Sequence, residues 1–135
     1  MTHPLATYLA QDRRRALAEG SALPDRTTGS ALFADITGFT TLTSSLIGAL
    51  GQRRGVEELP RHLNRVYEAL IAAVERFGGS VVGFSGDGLT CWFDAAEGHA
   101  AARATACGLA MQRAMGAFAA LPVPRADPIS LTLKV

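Results

Sequence analysis

Residues 80–93 read SVVGFSGDGLTCWF: two short β-rich runs, Ser80–Ser85 and Leu89–Phe93, joined through Gly86-Asp87-Gly88. An Asp-Gly step between such runs is a strong antiparallel hairpin signal. Gly78-Gly79, just before it, stops whatever element precedes. A hairpin in mid-chain narrows the fold sharply, because every other element must be arranged around that antiparallel pair.

The flanking segments supply those elements. Residues 4–19 carry Leu5, Tyr8, Leu9, Ala16 and Leu17 around the block Asp12-Arg13-Arg14-Arg15, a short amphipathic helix ended by Gly20. The three arginines read as a solvated face. Residues 20–30 are a polar linker. Ala31–Ala34 is a short buried strand that ends on Asp35-Ile36-Thr37-Gly38. Phe39, Leu42, Leu46 and Leu50 then mark a helix from about residue 38 to 50. A second helix follows Gly51–Gly55, with the stripe Val56, Leu59, Leu63, Val66, Leu70, Val74 and Phe77. Pro60 is expected in its first turn, where a missing N–H does no harm.

After the hairpin, residues 96–120 read as one Ala-rich helix with Ala104, Cys107, Met111, Met115 and Phe118 on one face. The methionines read as core filler, and Trp92 as a hairpin core residue. Pro122, Pro124 and Pro128 break the chain before Ile129–Val135 alternates as a last strand. The order β-α-α-β-β-α-β, with one crossover and one hairpin, predicts an α+β fold: a ferredoxin-like antiparallel sheet preceded by a helix. Two stretches are expected, 1–28 as helix and linker and 29–135 as the domain proper. The latter reads as the front part of something larger, stopping in or just after its fourth strand. Of Leu32, Ala34, Val82, Phe84, Leu131 and Leu133, some are expected on the face opposite the helices, where they would lack cover.

Composition excludes more than it identifies. The 135 residues carry a net charge of +1, which gives no electrostatic footprint for nucleic acid or an anionic membrane. No apolar run reaches the roughly 18 residues of a membrane helix, and no secretory signal is expected. Cys91 and Cys107 lack CxxC spacing and read as reduced core thiols of a cytoplasmic protein. His3, His62 and His99 have no metal-ligand spacing to one another or to a cysteine, and read as surface residues.

Two acidic residues stand at special places: Asp35, where the first strand meets a helix, and Asp87, in the hairpin turn. If strands one and three are neighbours, the topology brings both carboxylates to one sheet edge, about one strand spacing (~5 Å) apart. Hard oxygen ligands of that kind suit Mg²⁺ or Mn²⁺. Between them, Ile36-Thr37-Gly38-Phe39-Thr40 opens a helix whose free amides and positive end can cradle phosphate. Taken singly, Asp35 is equally a helix cap and Asp87 the aspartate of an Asp-Gly turn.

The pairing of Phe33-Ala34-Asp35-Ile36-Thr37-Gly38-Phe39-Thr40 with Phe84-Ser85-Gly86-Asp87-Gly88-Leu89 resembles the class III adenylate/guanylate cyclase catalytic domain. The wording around both motifs is similar to the first cyclase domain of soluble-adenylyl-cyclase-type proteins. The resemblance covers about residues 29–135 and implies an incomplete cyclase domain. It implies that Asp35 and Asp87 hold two divalent ions, Mg²⁺ or Mn²⁺, with the Ile36 carbonyl as a further ligand. The amides of Thr37, Gly38, Phe39 and Thr40 would hold the β- and γ-phosphates of a nucleoside triphosphate, ATP ahead of GTP. The implied product is a 3′,5′-cyclic nucleotide plus pyrophosphate, made with a second cyclase domain in cis or as a homo- or heterodimer.

Two departures from the family pattern qualify this. The purine-reading lysine of many homodimeric members stands four residues before the second metal aspartate, which here is Gly83. The transition-state Asn and Arg follow the fourth strand in the family. The resemblance thus implies a metal-contributing half that is inactive alone. The alternative is a non-catalytic cyclase-like module for dimerisation or nucleotide sensing.

Overall fold

The computed structural model describes residues 9–135. His3 and the start of the expected first helix, with Leu5 and Tyr8, lie outside the described residues. Helix α1 spans Gln11–Glu19 and ends, as expected, at Gly20 with φ 65°. Arg13 and Arg15 are exposed, while Arg14 is half-buried.

Strand β1, Gly29–Thr37, alternates strictly: Leu32, Ala34 and Ile36 are buried, while Phe33, Asp35 and Thr37 are exposed. It runs three residues beyond the expected strand and takes Asp35 with it. Helix α2, Phe39–Leu50, and helix α3, Gln52–Arg76, return the chain to β2, Ser80–Ser85, and β3, Gly88–Asp94. Helix α4, Ala100–Ala114, follows, then β4, Leu121–Val123, β5, Ala126–Ile129, and β6, Thr132–Lys134. The main sheet has the order β2-β3-β1-β6, and every neighbouring pair is antiparallel. This is the ferredoxin-like arrangement that one crossover and one hairpin impose.

The core lies between one sheet face and the helices. Leu32, Ala34 and Ile36 of β1 and Leu89, Cys91 and Phe93 of β3 meet Val66, Leu70 and Val74 of α3 and Cys107 and Met111 of α4. Leu131 and Leu133 join this core, so four of the residues expected to include uncovered ones (Leu32, Ala34, Leu131, Leu133) are buried on the helix side. The alternation of β3 turns Trp92 to the other face, where it is half-buried over Gly29, so the hairpin core is Cys91 and Phe93. His62 is half-buried on α3 and His99 is exposed.

Three expectations of element boundaries give way. Helix α3 begins at Gln52, so Pro60 lies in its interior rather than its first turn. Pro60 is exposed, and so is Val56, whose carbonyl loses its partner there; solvent can replace the missing bond. Gly55 lies inside the helix, where a Cβ would come within 2.7 Å of the Ile47 backbone, and its absence lets α2 and α3 approach. The expected helix over 96–120 is interrupted. A 3₁₀ turn at Ala95–Glu97 is capped by the Asp94 carboxylate, which accepts from the Ala96 amide at 2.8 Å. Gly98 and His99 then take positive φ before α4, and a second 3₁₀ turn covers Met115–Phe118. Finally, the strand expected over 129–135 is split. Ile129 belongs to β5, paired with β4 in a small separate sheet, and only Thr132–Lys134 joins β1.

Candidate metal and phosphate site

Register brings the two motifs together. Asp35 of β1 is the cross-strand partner of Gly88 on β3, and Asp87 immediately precedes Gly88 in the hairpin turn. The Ile36 amide donates to the Asp87 carbonyl at 3.0 Å, clipping the turn onto the end of β1. Asp35 and Asp87 are both exposed, and the Asp35 carboxylate leans over Gly88 into the place a side chain there would take. A side chain at the second glycine of Gly86-Asp87-Gly88 would make the Asp35 carboxylate swing away from this position. Gly86, with φ 58°, fills the first turn position, where the primed hairpin turns need a left-handed residue.

Tyr67 of α3 holds the turn from the helix side. Its hydroxyl donates to the Gly86 carbonyl at 3.2 Å, and its ring meets Phe84 edge-on with centroids 5.5 Å apart. Burial raises the Tyr67 pKa above its ordinary value, and the nearby Asp87 charge raises it further. The tyrosine stays protonated and able to donate. Nothing in its helical position separates it from one more stripe residue, and only the folded distance exposes its role.

The phosphate side is built by the start of α2. Gly38 caps this helix with φ 104°, and a Cβ there would lie 2.6 Å from the Ser130 carbonyl oxygen. Both facts demand glycine. The first intrahelical bond runs from the Leu42 amide to the Gly38 carbonyl, so the Phe39, Thr40 and Thr41 amides have no partner within the helix. Thr37 instead lies in β1, opposite Thr132, and the Ile36 amide is engaged by Asp87. Beside this helix end is a cavity of about 530 Å³ lined by Phe39, Thr40, Thr43, Ser44, Gly86 and Asp87, among others. Thr43 and Ser44 are additions that only the folded helix reveals.

The donor set fits a small hard cation. Among the described residues no group of three or more His, Cys, Asp or Glu is placed to hold a metal. Asp35 and Asp87 are brought near one another by register, and Asp87 lines the cavity beside α2; two carboxylates of this kind would leave positions for water and phosphate oxygens, as Mg²⁺ requires. A cavity of about 550 Å³ between α2, α3 and β4 is lined by Arg54, Glu57, Glu58 and His62. There Glu58 already pairs with Arg61 at 2.9 Å, and Glu57 with Arg53 at 3.3 Å, so both carboxylates are engaged.

No protein-family model matches the chain. Adenylate cyclase type 10 of Rattus norvegicus and of Homo sapiens are each 39% identical to it over 61 residues. That match covers 45% of this chain and 4% of each relative's length. Among solved structures, a bacterial light-regulated adenylyl cyclase superposes with a TM-score of 0.65 at 20% identity, over 96% of this chain and 37% of that one. The adenylyl cyclase CyaB from P. aeruginosa gives 0.55 at 22% identity, over 76% and 52%. The guanylyl cyclase domain of the RhoGC fusion protein from Blastocladiella emersonii gives 0.54 at 20%, over 80% and 58%. The fold of this chain is that of the class III adenylyl and guanylyl cyclase domains. No helix among the described residues is long and apolar enough to cross a membrane.

Proposed function

We propose that this chain is the metal- and phosphate-binding half of a nucleotide cyclase site that works with a second cyclase domain, in cis or as a dimer. The observation that carries the reading is the register of Asp35 with Gly88, which sets two carboxylates beside the amino end of α2. Likeness to adenylate cyclase type 10 favours ATP over GTP as the nucleotide. Two buried free thiols, Cys91 and Cys107, agree with a cytoplasmic setting.

In this reading Asp35, Asp87 and the Ile36 carbonyl hold two divalent ions, Mg²⁺ or Mn²⁺. When bound, these ions activate the ribose 3′-hydroxyl and neutralise the triphosphate. The chain's own residues do the positioning. Amides at the start of α2, with Thr37 and Gly38 leading into it, hold the β- and γ-phosphates. Tyr67 and the Ile36 amide fix the turn that presents Asp87. The 3′-oxygen would pass its proton to solvent and attack the α-phosphorus, the bond to the bridging oxygen would break, and pyrophosphate would depart.

Gly83 favours a second reading, a nucleotide-sensing or dimerisation module without turnover. It offers no side chain where many homodimeric cyclases carry the purine-reading lysine, and nothing lies within 4 Å of where a Cβ would be. Calorimetric titration of Mn²⁺ with α,β-methylene ATP separates the possibilities. Binding that Asp35→Ala and Asp87→Ala each weaken tenfold or more supports the site, whereas equal affinity in all three proteins removes it. Addition of a partner domain that carries the lysine then distinguishes catalysis from sensing by whether cyclic nucleotide forms.

A further inference from the structure

The cavity of about 550 Å³ at the other end of α2 has a lining of its own character. Leu46 and Leu50 of α2 and Pro122 and Pro124 of the second hairpin give it apolar walls, and Arg54, Glu57, Glu58 and His62 of α3 give it charge. These walls are preset. The missing Cβ of Gly55 brings α2 against α3, and each proline ring fixes a backbone angle. The volume falls in the range of small-molecule sites, about 300–1,000 Å³, which combine an apolar lining with a few placed polar groups.

The charges there are unequally committed. Glu57 and Glu58 are paired with Arg53 and Arg61, whereas Arg54 enters no ion pair among the described residues and is exposed. Over residues 52–65, four arginines (Arg53, Arg54, Arg61 and Arg65) outnumber those two glutamates. The same stretch opens α3 and so carries the positive end of its dipole. The Nδ1 atom of His62 is sealed from solvent without a hydrogen-bond partner. Buried N–H groups without a partner are rare, so the ring proton belongs on Nε2, the nitrogen left to donate. The cavity thus joins an uncommitted guanidinium and an imidazole donor to apolar walls, with its carboxylates already neutralised.

We propose that this cavity binds a small aliphatic carboxylate, its headgroup received by Arg54 and His62 and its chain by Leu46, Leu50, Pro122 and Pro124. A bare inorganic anion would meet the guanidinium and leave the apolar walls in water. The inference is independent of the functional reading above. Helix α2 has 12 residues and is about 18 Å long, and it separates this cavity from the amides at its amino end.

Amide-resolved NMR titration of the whole chain with hexanoate tests the proposal. Hexan-1-ol, hexylamine and acetate are the controls, each lacking one half of the match. Hexanoate should give saturable shifts at residues 46–50 and 54–62, and each control should bind at least fivefold more weakly. Arg54→Gln should weaken hexanoate about tenfold, the usual worth of a hydrogen bond to a charged group. His62→Phe, which keeps an aromatic ring, should weaken it about threefold, and Asp35→Ala should leave it unchanged. Thermal melting checks that each variant is folded, and Arg54→Gln at its exposed position carries the test if His62→Phe is not. Hexanol binding as well as hexanoate would mean an apolar crevice only, and acetate doing so would mean surface ion pairing only. Either result overturns the proposal, as does the absence of saturable shifts or unchanged affinity in a folded Arg54→Gln or His62→Phe. Weakening by Asp35→Ala would place hexanoate at the metal site and overturn it too.

Discussion

The molecule contains two hairpins of contrasting construction. The β2–β3 hairpin turns through Gly86-Asp87, with the left-handed residue first, and sits within the main sheet. The β4–β5 hairpin turns through Pro124-Arg125, with the left-handed residue second (Arg125, φ 58°), and forms a sheet of its own. The former is tied to the rest of the fold at both ends. Tyr67 and the Ile36 amide hold its turn, and Arg103 of α4 holds its base. Arg103 donates to the carbonyls of Phe77, Gly78 and Gly98 and, at 2.6 Å, to that of Asp94, so the chain entering β2 is bound to the chain leaving β3. The latter packs chiefly on α2, through its own buried Leu121 and Val123. A turn can present a carboxylate to a ligand when its backbone is held by side chains from other elements. Packing alone suffices for a hairpin with no such task.

The largest expected effect breaks the base of the first hairpin. Arg103→Leu leaves four carbonyls without their charged donor and should destabilise the chain by about 2–4 kcal/mol, given the usual worth of hydrogen bonds to charged groups. Urea denaturation followed by the fluorescence of Trp92, the single tryptophan, measures it. A loss below about 0.5 kcal/mol, the scale of ordinary surface substitutions, would mean that the hairpin closes without its clamp.

Next in size is Gly88→Val, which places a side chain where the Asp35 carboxylate lies. Overpacking at such a point typically costs about 1–3 kcal/mol. Here it also displaces a proposed metal ligand, so affinity for Mn²⁺ with α,β-methylene ATP should fall at least tenfold. Unchanged affinity in a folded variant would show that Asp35 has another usable conformation.

Titration gives a third, smaller contrast. Burial raises the Cys91 thiol from 9.0 to about 12, with the Cys107 charge adding to it, and burial raises the Cys107 thiol to about 11. Tyr67 is also shifted upward, from 10.0. The folded chain keeps protons that the unfolded chain sheds, so this stabilisation is complete below pH 9 and declines as pH rises through about 11 to 12. All but Cys107 of these groups belong to the first hairpin or touch its turn. Alkaline loosening should therefore appear first in hydrogen exchange of β2 and β3 and last in β4 and β5. Cys107→Ala should flatten the decline.

These contrasts also explain what the sequence makes legible. The first hairpin is announced by Asp-Gly between β-rich runs, and the stripe of α3 carries much of the helix-covered core, whereas the apolar run Ala31–Ala34 reads as buried throughout and hides that Ala31 and Phe33 face away from the helices. Asp35 and Asp87 can be paired on paper because topology alone joins them. The second hairpin is hidden because Pro122, Pro124 and Pro128 erase strand signals. They are tolerated since each strand has a single neighbour and needs no second ladder. Gly55 and Pro60 read as a breaker and a first-turn residue because close helix approach and solvent exposure are tertiary facts. Tyr67, Gly88 and Arg103 act through distances that no local pattern encodes.

The smallest expected effect tests the second hairpin. Pro at the first central position and a left-handed residue at the second is the pattern of a type II turn, which favours glycine at the second. Arg125 occupies that position with φ 58° and is exposed, with no ion pair among the described residues. A non-glycine residue in the left-handed region is penalised by about 1–2 kcal/mol. Arg125→Gly removes that penalty and gives back part of it through a more flexible unfolded chain. The net result should be a gain of about 0.5 kcal/mol in urea melts, with no change in affinity for Mn²⁺ or its triphosphate complex. A measurable loss of nucleotide binding in this variant would mean that the β4–β5 hairpin takes part in the site, and the division of labour between the two hairpins would fall.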